Sequence, residues 1–336
     1  MKVFMIGGTG LLGSQAAVEL IQRGHEVTSV ALPPLPIGAV LPKEMTIEFG
    51  NYLEMSDEAI LAKMAGCEGF VFAAGVDERV EGPKPIYDLY KKYNIDPVDR
   101  LLGLAKKAGI KHAVICGSYF SYFAKLHPEW KLTAIHPYIR SRIDQEKAAE
   151  KQSEGLDVAV LELPYIFGTQ PGRKPVWVFL AKMIRDSKKR IYYPKGGSAM
   201  VTVKQVGEAI AGALEKNVGF ATYPIGYWNL TWVEMLAIMD QYLGCPDKPI
   251  QTIPNWMFTL GGIQIRHTQK KQGIDGGLNL AKYAKVMGSD LFIDKALGCD
   301  KLGVRDDDLD QAIGDSILLS AAVLDNKVAA LDMKAK

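Results

Sequence analysis

Gly7-Gly8-Thr9-Gly10-Leu11-Leu12-Gly13 follows the apolar run Val3 to Ile6 and precedes Ala16, Ala17, Leu20 and Ile21 at helical spacing, with Gly24 as a stop. That order predicts a buried strand, a tight turn and an amphipathic helix. Glycines at 7, 10 and 13 let the backbone turn sharply, let a phosphate approach bare main chain, and let the helix pack hard on the sheet. The free amides and positive dipole end of the helix then face the turn. Gly7, Thr9, Gly10, Leu11, Leu12 and Gly13 are therefore candidate pyrophosphate-binding residues. Glycine-rich turns are common, and it is the apolar strand before this one and the periodic helix after it that favour nucleotide-cofactor binding over a plain strand-turn-helix.

Outward from the turn, residues 26–31, 45–49, 69–73, 112–116 and 158–163 read as further strands, separated mostly by helical stretches. Residues 86–107 have the periodicity of a long helix, with Gly109 as its stop and Pro97 as a point of kinking. Residues 138–153 form a second, strongly charged helix. This alternation predicts an α/β fold with a doubly wound parallel sheet of Rossmann type. Beyond Pro164 the pattern loosens at Pro171, Pro175, Pro194, Gly196 and Gly197, and helices at 204–215 and 232–242 follow. We expect a dinucleotide-binding domain over 1–168 and a smaller, mainly substrate-binding domain over 169–336, with segments such as 200–226 returning to the first.

The 336 residues are 48% hydrophobic and 23% charged, with a net charge of +2. Such a balance gives no global field to select nucleic acid or membranes, and no basic stripe interleaved with aromatics appears. Cys67, Cys116, Cys245 and Cys299 lie far apart without paired spacing, which implies reduced thiols and a cytoplasmic setting. Residues 1–6 read as the first strand rather than a signal segment, and no apolar run reaches transmembrane length, so no integral membrane association is expected. His127 and His136 lack partners at metal-ligand spacing, so no metal is expected.

Several short segments, in this order and spacing, resemble the extended short-chain dehydrogenase/reductase family, which includes nucleotide-sugar epimerases and dehydratases. They are the glycine turn, Phe72-Ala73-Ala74-Gly75, Asn94, Cys116-Gly117-Ser118, Tyr138-Ile139-Arg140-Ser141-Arg142, Leu163-Pro164-Tyr165-Ile166-Phe167-Gly168, and Val201 to Val206. The resemblance covers nearly the whole chain. It implies an NAD- or NADP-dependent oxidoreductase or epimerase acting on a carbonyl or secondary alcohol of a small molecule, and a homodimer joined through the two long helices. Ser118 would hold the substrate oxygen and Tyr138 would shuttle the proton. Arg142 stands where the family has a lysine that binds the nicotinamide ribose and lowers the tyrosine's pKa. Arginine keeps the positive charge, which favours phenolate, but its planar fork is wider than an ammonium. Real catalysis and a cofactor-binding sensor or scaffold with a degenerate site both stay open.

The same resemblance places Asn51, Tyr52, Ala73, Ala74, Gly75, Asn94, Pro164 and Ile166 around the cofactor, with Tyr138 and Arg142. Neither an acid nor an arginine marks the end of the second strand, where Ala31-Leu32-Pro33-Pro34 stands, so the choice between the two dinucleotides is not encoded there. Tyr119, Tyr165, Phe167, Arg173 and Trp177 are the candidate substrate contacts: aromatics suit a ring-containing substrate, and Arg173 a nucleotide diphosphate. Tyr87 and Lys91 also have tyrosine-x-x-x-lysine spacing, but they precede the fifth strand and are expected on a helix away from the site. Residues 256–265 are apolar enough for a lid or membrane-surface helix, with burial against the core the favoured expectation.

Overall fold

The computed structural model describes residues 1–245 and 248–331. A seven-stranded, wholly parallel sheet runs in the order Phe220–Pro224, Asp157–Glu162, His112–Cys116, Gly69–Phe72, Lys2–Ile6, Glu26–Ala31, Thr46–Phe49. Residues 3–6 are all buried because helices cover both faces of the sheet. Alternation along that strand sends Val3 and Met5 into the layer of helices Leu11–Gln22 and Val203–Lys216. Phe4 and Ile6 go the other way, against helices Asp57–Met64, Asp96–Lys107 and Pro137–Lys151.

Chain direction across the sheet reverses between Lys2–Ile6 and Gly69–Phe72, which lie side by side. In a parallel sheet this switch opens a crevice beyond the strands' carboxyl ends. Two predicted segments leave the sheet there: the glycine turn, and Ala73-Ala74-Gly75. The last strand, Phe220–Pro224, and the preceding Val203–Lys216 helix come from the carboxyl-terminal half of the sequence. That helix packs along Leu11–Gln22, and Gly207 allows the close approach, since a Cβ there would lie 2.8 Å from the Gln15 carbonyl oxygen.

A smaller sheet lies across the mouth of the crevice. Gly197–Thr202 pairs with Trp228–Thr231, Tyr165–Phe167 and Asp290–Leu291. An aromatic-rich core joins it to helices Val178–Asp186, Trp232–Tyr242 and Leu309–Leu324.

Two expectations need correction. The helix expected over 86–107 is divided: a short helix Tyr87–Tyr90, a π-helical turn Lys91–Ile95, then Asp96–Lys107. Pro97 has no amide hydrogen for the Tyr93 carbonyl, and the turn just before it is the widened one. The second concerns 256–265. It belongs to the helix Asn255–Lys271, in which Gly262 is the sole buried residue. The segment is apolar, but Trp256, Met257, Leu260, Ile263 and Ile265 face outward because the helix meets the body through Phe258 and Gly262, whose α-carbon sits against the Leu280 backbone.

Candidate active site

At the crevice floor, Gly7 has φ of +95° and a Cβ there would lie 2.6 Å from the Ala73 carbonyl oxygen. A Cβ on Gly13 would overlap the Gly7 carbonyl. Only glycine allows strand, turn and helix to meet this closely. Gly8 N–H donates to the buried Ser29 Oγ at 2.9 Å, fixing the turn. Gly10 caps the helix without a side-chain hydrogen bond, so the amides that follow, beginning with Leu11, Leu12 and Gly13, face the crevice. Bare backbone and an uncapped helix end fit a dinucleotide's pyrophosphate.

Thr9 is buried and held from above. Arg173, expected on the substrate side, reaches the turn instead: Nη2 donates to Thr9 Oγ1 at 3.2 Å and Nε to the Thr9 carbonyl at 3.4 Å. Burial lowers the pKa of its guanidinium, and among the described residues no carboxylate pairs with it. The loop bearing it is tied by Gln170 Nε2 to the Val40 carbonyl and by backbone bonds between Leu331 and residues 172 and 174. At the other end of the crevice, Asn51 Oδ1 accepts from Leu53 N–H, and the Tyr52 ring packs edge-on against Phe72 at 5.9 Å. Burial pushes the Tyr52 hydroxyl up to about 12. Arg100 holds the turn by donating to the Tyr52 and Met55 carbonyls.

Ser118 ends the segment after strand His112–Cys116 and caps the helix Tyr119–Leu126. Tyr138 opens the next long helix behind Pro137, and its N–H donates to the Gly277 carbonyl at 3.0 Å. The Arg142 guanidinium lies 5.0 Å from the centre of the Tyr138 ring, and both Ser118 and Arg142 act on the Tyr138 hydroxyl to lower its pKa. Burial opposes them and raises it, and Glu78 pushes it up as well. The net shift is upward.

Arg142 is itself clamped. Nη1 donates to Gln145 Oε1 at 2.9 Å and Nη2 to the Val76 carbonyl at 3.2 Å, while Nε is buried without a partner. Gln145 Nε2 donates in turn to the Asn94 carbonyl at 2.9 Å. Asn94, on the π-helical turn, grips the Val76 backbone with both side-chain atoms, at 2.8 and 3.0 Å. Gly75 leaves room for it, with φ of +124° and a would-be Cβ 2.6 Å from Asn94 Oδ1. One network thus joins the loop after Gly69–Phe72 to Arg142. Gln145 is absent from the sequence-derived set; its signal is the three-residue spacing from Arg142, which puts both on one helical face.

Behind Ser118 lies a second polar cluster that sequence reasoning missed. Ser121 Oγ is 2.7 Å from the Ser118 carbonyl and 3.2 Å from Glu162 Oε1. Lys125 Nζ bridges Glu162 at 2.8 Å and Glu146 at 2.9 Å, with Thr222 Oγ1 at 3.4 Å. Burial, then the neighbouring Glu146, pushes the Glu162 carboxyl up to about 7 against the pull of Lys125. Glu78, half-buried, is also missed. Burial and Asp77 raise its pKa, and its charge acts on Tyr119, Tyr138, Tyr165 and Tyr283.

On the substrate side, Tyr165 sits between Trp177 and Trp232, each 5.2 Å away, and Tyr119 lies beside it with its hydroxyl 3.2 Å from Ser198 Oγ. Phe167, Tyr119 and Trp177 are corrections: all three are buried in one aromatic core, Phe167 stacked under Trp177 at 4.6 Å, and of the candidate substrate contacts Tyr165 and Arg173 are half-buried. Pro164 is buried just after strand Asp157–Glu162, and the Ile166 carbonyl accepts from Trp177 Nε1 at 3.1 Å. Tyr87 donates to Asp144 at 2.6 Å and Lys91 pairs with Asp96, so neither joins the Tyr138 group. His136 Nδ1 accepts from Asn279 N–H and helps hold the 277–279 segment over Tyr138.

Comparison with known proteins adds the family and the fold of relatives. The chain is 21% identical over 344 residues to a putative dihydroflavonol 4-reductase of Synechocystis sp., covering 94% of this chain and 93% of that protein. A UDP-glucose 4-epimerase of Klebsiella pneumoniae is 29% identical over 132 residues, which are 36% of this chain and 92% of the relative. Among solved structures, gox2253 superposes with a TM-score of 0.72 at 18% identity, covering 98% of this chain and 99% of the other. WbmH of Bordetella bronchiseptica, in complex with NAD+, gives 0.67 at 14% identity over 95% and 97%. These structural likenesses establish a shared fold. The family model described as NAD dependent epimerase/dehydratase matches residues 3–226, and the chain belongs to that family.

Proposed function

We propose that this protein is an NAD(P)-dependent oxidoreductase or epimerase that acts on a carbonyl or secondary alcohol of a ring-containing small molecule. The observation that carries the reading is the buried cluster of Ser118, Tyr138 and Arg142, with the guanidinium 5.0 Å from the tyrosine ring, beside the crevice that starts at the glycine turn. The chemistry supplied by a bound nicotinamide dinucleotide is donation or acceptance of a hydride. Gly7, Gly10, Leu11, Leu12 and Gly13 would bind its pyrophosphate through backbone, and Asn51 and Tyr52 lie where its adenine half would rest. The unpartnered Nε–H of Arg142 is a ready donor to a ribose hydroxyl.

Ser118 Oγ orients the substrate oxygen and Tyr138 exchanges a proton with it. Because burial holds the Tyr138 hydroxyl above the ordinary phenol value, it is protonated near neutral pH and set to donate. Carbonyl reduction consumes a proton, so oxidation gains as pH rises. Arg142 stabilises the phenolate left after donation; Gln145 and Asn94 hold Arg142 in place. The half-buried Tyr165 ring, backed by the aromatic core, supports a ring-containing substrate. A nucleotide sugar is the second substrate reading, favoured by similar structures solved with UDP-sugars.

A reducing cytoplasmic setting with four free thiols, and two copies joined through Asp96–Lys107 and Pro137–Lys151, belong to the same proposal. The test is a titration with each dinucleotide, followed by turnover on panels of ring ketones and UDP-sugars. Binding without turnover on either panel would favour a cofactor-binding scaffold, the alternative that Arg142 in the lysine position keeps in play.

A further inference from the structure

We infer that the helix Asn255–Lys271 docks the protein peripherally on an anionic lipid bilayer. Trp256, Leu260 and Ile263 recur at helical i, i+4, i+7 spacing and are 64%, 57% and 50% exposed. Met257 and Ile265 are exposed as well. Buried contact does not explain these side chains, since the helix meets the body through another face, with Gly262 buried, Phe258 half-buried against the core and Gln269 bonded to Glu81.

Charge selects the occupant. No acidic residue occurs from Lys248 to Ile274, while Arg266, Lys270 and Lys271 follow the apolar turns, with His267 among them. All four side chains are exposed, and among the described residues none of the three cations has a carboxylate partner. A second copy offering the same face would bring one acid-free cationic helix against another. An anionic bilayer satisfies both parts: the first turns enter below the headgroups, Trp256 sits at the interface, and the last turns meet lipid phosphates.

The docked helix runs directly into the segment that lies over Tyr138. Strand Ile274–Gly276, which follows the helix, pairs with Glu81–Pro83, and the next residue, Gly277, accepts from Tyr138 N–H. A bilayer-bound protein would thus hold its cleft rim at the membrane, within reach of lipid-soluble substrates. The docking itself stands without the catalytic reading.

The test is co-sedimentation of the full chain with vesicles of phosphatidylcholine alone or mixed with phosphatidylglycerol. We expect binding to the mixed vesicles only, weakening as salt rises. The triple change Trp256→Ser, Leu260→Ser, Ile263→Ser should lower it at least about tenfold, and the pair Lys270→Glu, Lys271→Glu by a similar factor. Val218→Ser, at an exposed valine on another surface, should leave it unchanged. Circular dichroism and dinucleotide binding should be the same in all variants. Failure to sediment with mixed vesicles, equal binding by the triple variant, or a dimer in light scattering that the triple variant splits would each overturn the proposal.

Discussion

The two sides of the crevice are built from different materials. Its floor is bare backbone and a closed polar network: glycines packed against carbonyls, and Asn94, Gln145 and Arg142 each holding the next. Its wall is the half-buried Tyr165 ring backed by a buried aromatic core, with Tyr119, Trp177 and Trp232 in edge and tilted contact with it. Backbone contacts and hydrogen bonds have one good geometry, whereas ring packing tolerates many. Changes to the floor should therefore act nearly all-or-none, and changes to the wall by degrees.

The largest expected effect is Tyr138→Phe, which removes the proton carrier and keeps the ring. Steady-state kinetics should show kcat falling about a thousandfold with dinucleotide affinity nearly unchanged. Gly13→Val forces a branched side chain into the Gly7 carbonyl. Urea unfolding should record a loss of about 3 kcal/mol, and dinucleotide titration a loss of binding.

Glu162 sharpens the comparison through pH. Its folded pKa, about 7, lies above the ordinary value of 4.5, so the native state holds an extra proton between those limits. Native stability then declines as pH rises from about 4.5 to about 7 and levels off above. Glu162→Gln should flatten that decline, by on the order of 2 kcal/mol, in denaturant titrations across the window. A stability curve whose slope is the same in the variant would remove Glu162 from the account.

Gln145→Leu leaves Arg142 Nη1 and the Asn94 carbonyl unpaired, and kcat should drop about tenfold while KM for the carbonyl substrate holds. Trp177→Phe removes the bond to the Ile166 carbonyl and part of the stack on Phe167, and should move KM only severalfold. A wall variant as damaging as Tyr138→Phe would break the contrast.

Legibility in the sequence follows the same division. Strand runs such as Val3 to Ile6 and the helix after Gly13 carry their period in adjacent residues, so the parallel sheet could be read from pattern alone. Ser118 and Tyr138 could be placed because each sits at the start of a helix next to a recognisable segment. Arg173 could not: its reach to Thr9 depends on a loop folding back across 164 positions of chain. Phe167 and Tyr165 are two residues apart and similar in type, yet only the packing of Trp177 decides which is core. The 256–265 stretch misled because apolarity reports what a segment can bury, while burial depends on how many surfaces reach it.

The π-helical turn Lys91–Ile95 has a consequence of its own. An α-helix advances about 100° per residue, so a turn with one residue more than the α-helical count shifts everything before it around the axis by about that angle. Asn94 lies on this turn. Excising a single neighbour, such as Lys92, would let the segment relax to a regular spiral and swing the amide away from Val76. Deleting one exposed lysine should therefore be harsher than mutating it, and a length change here would act as a mechanical fault at a distance from the reacting carbon.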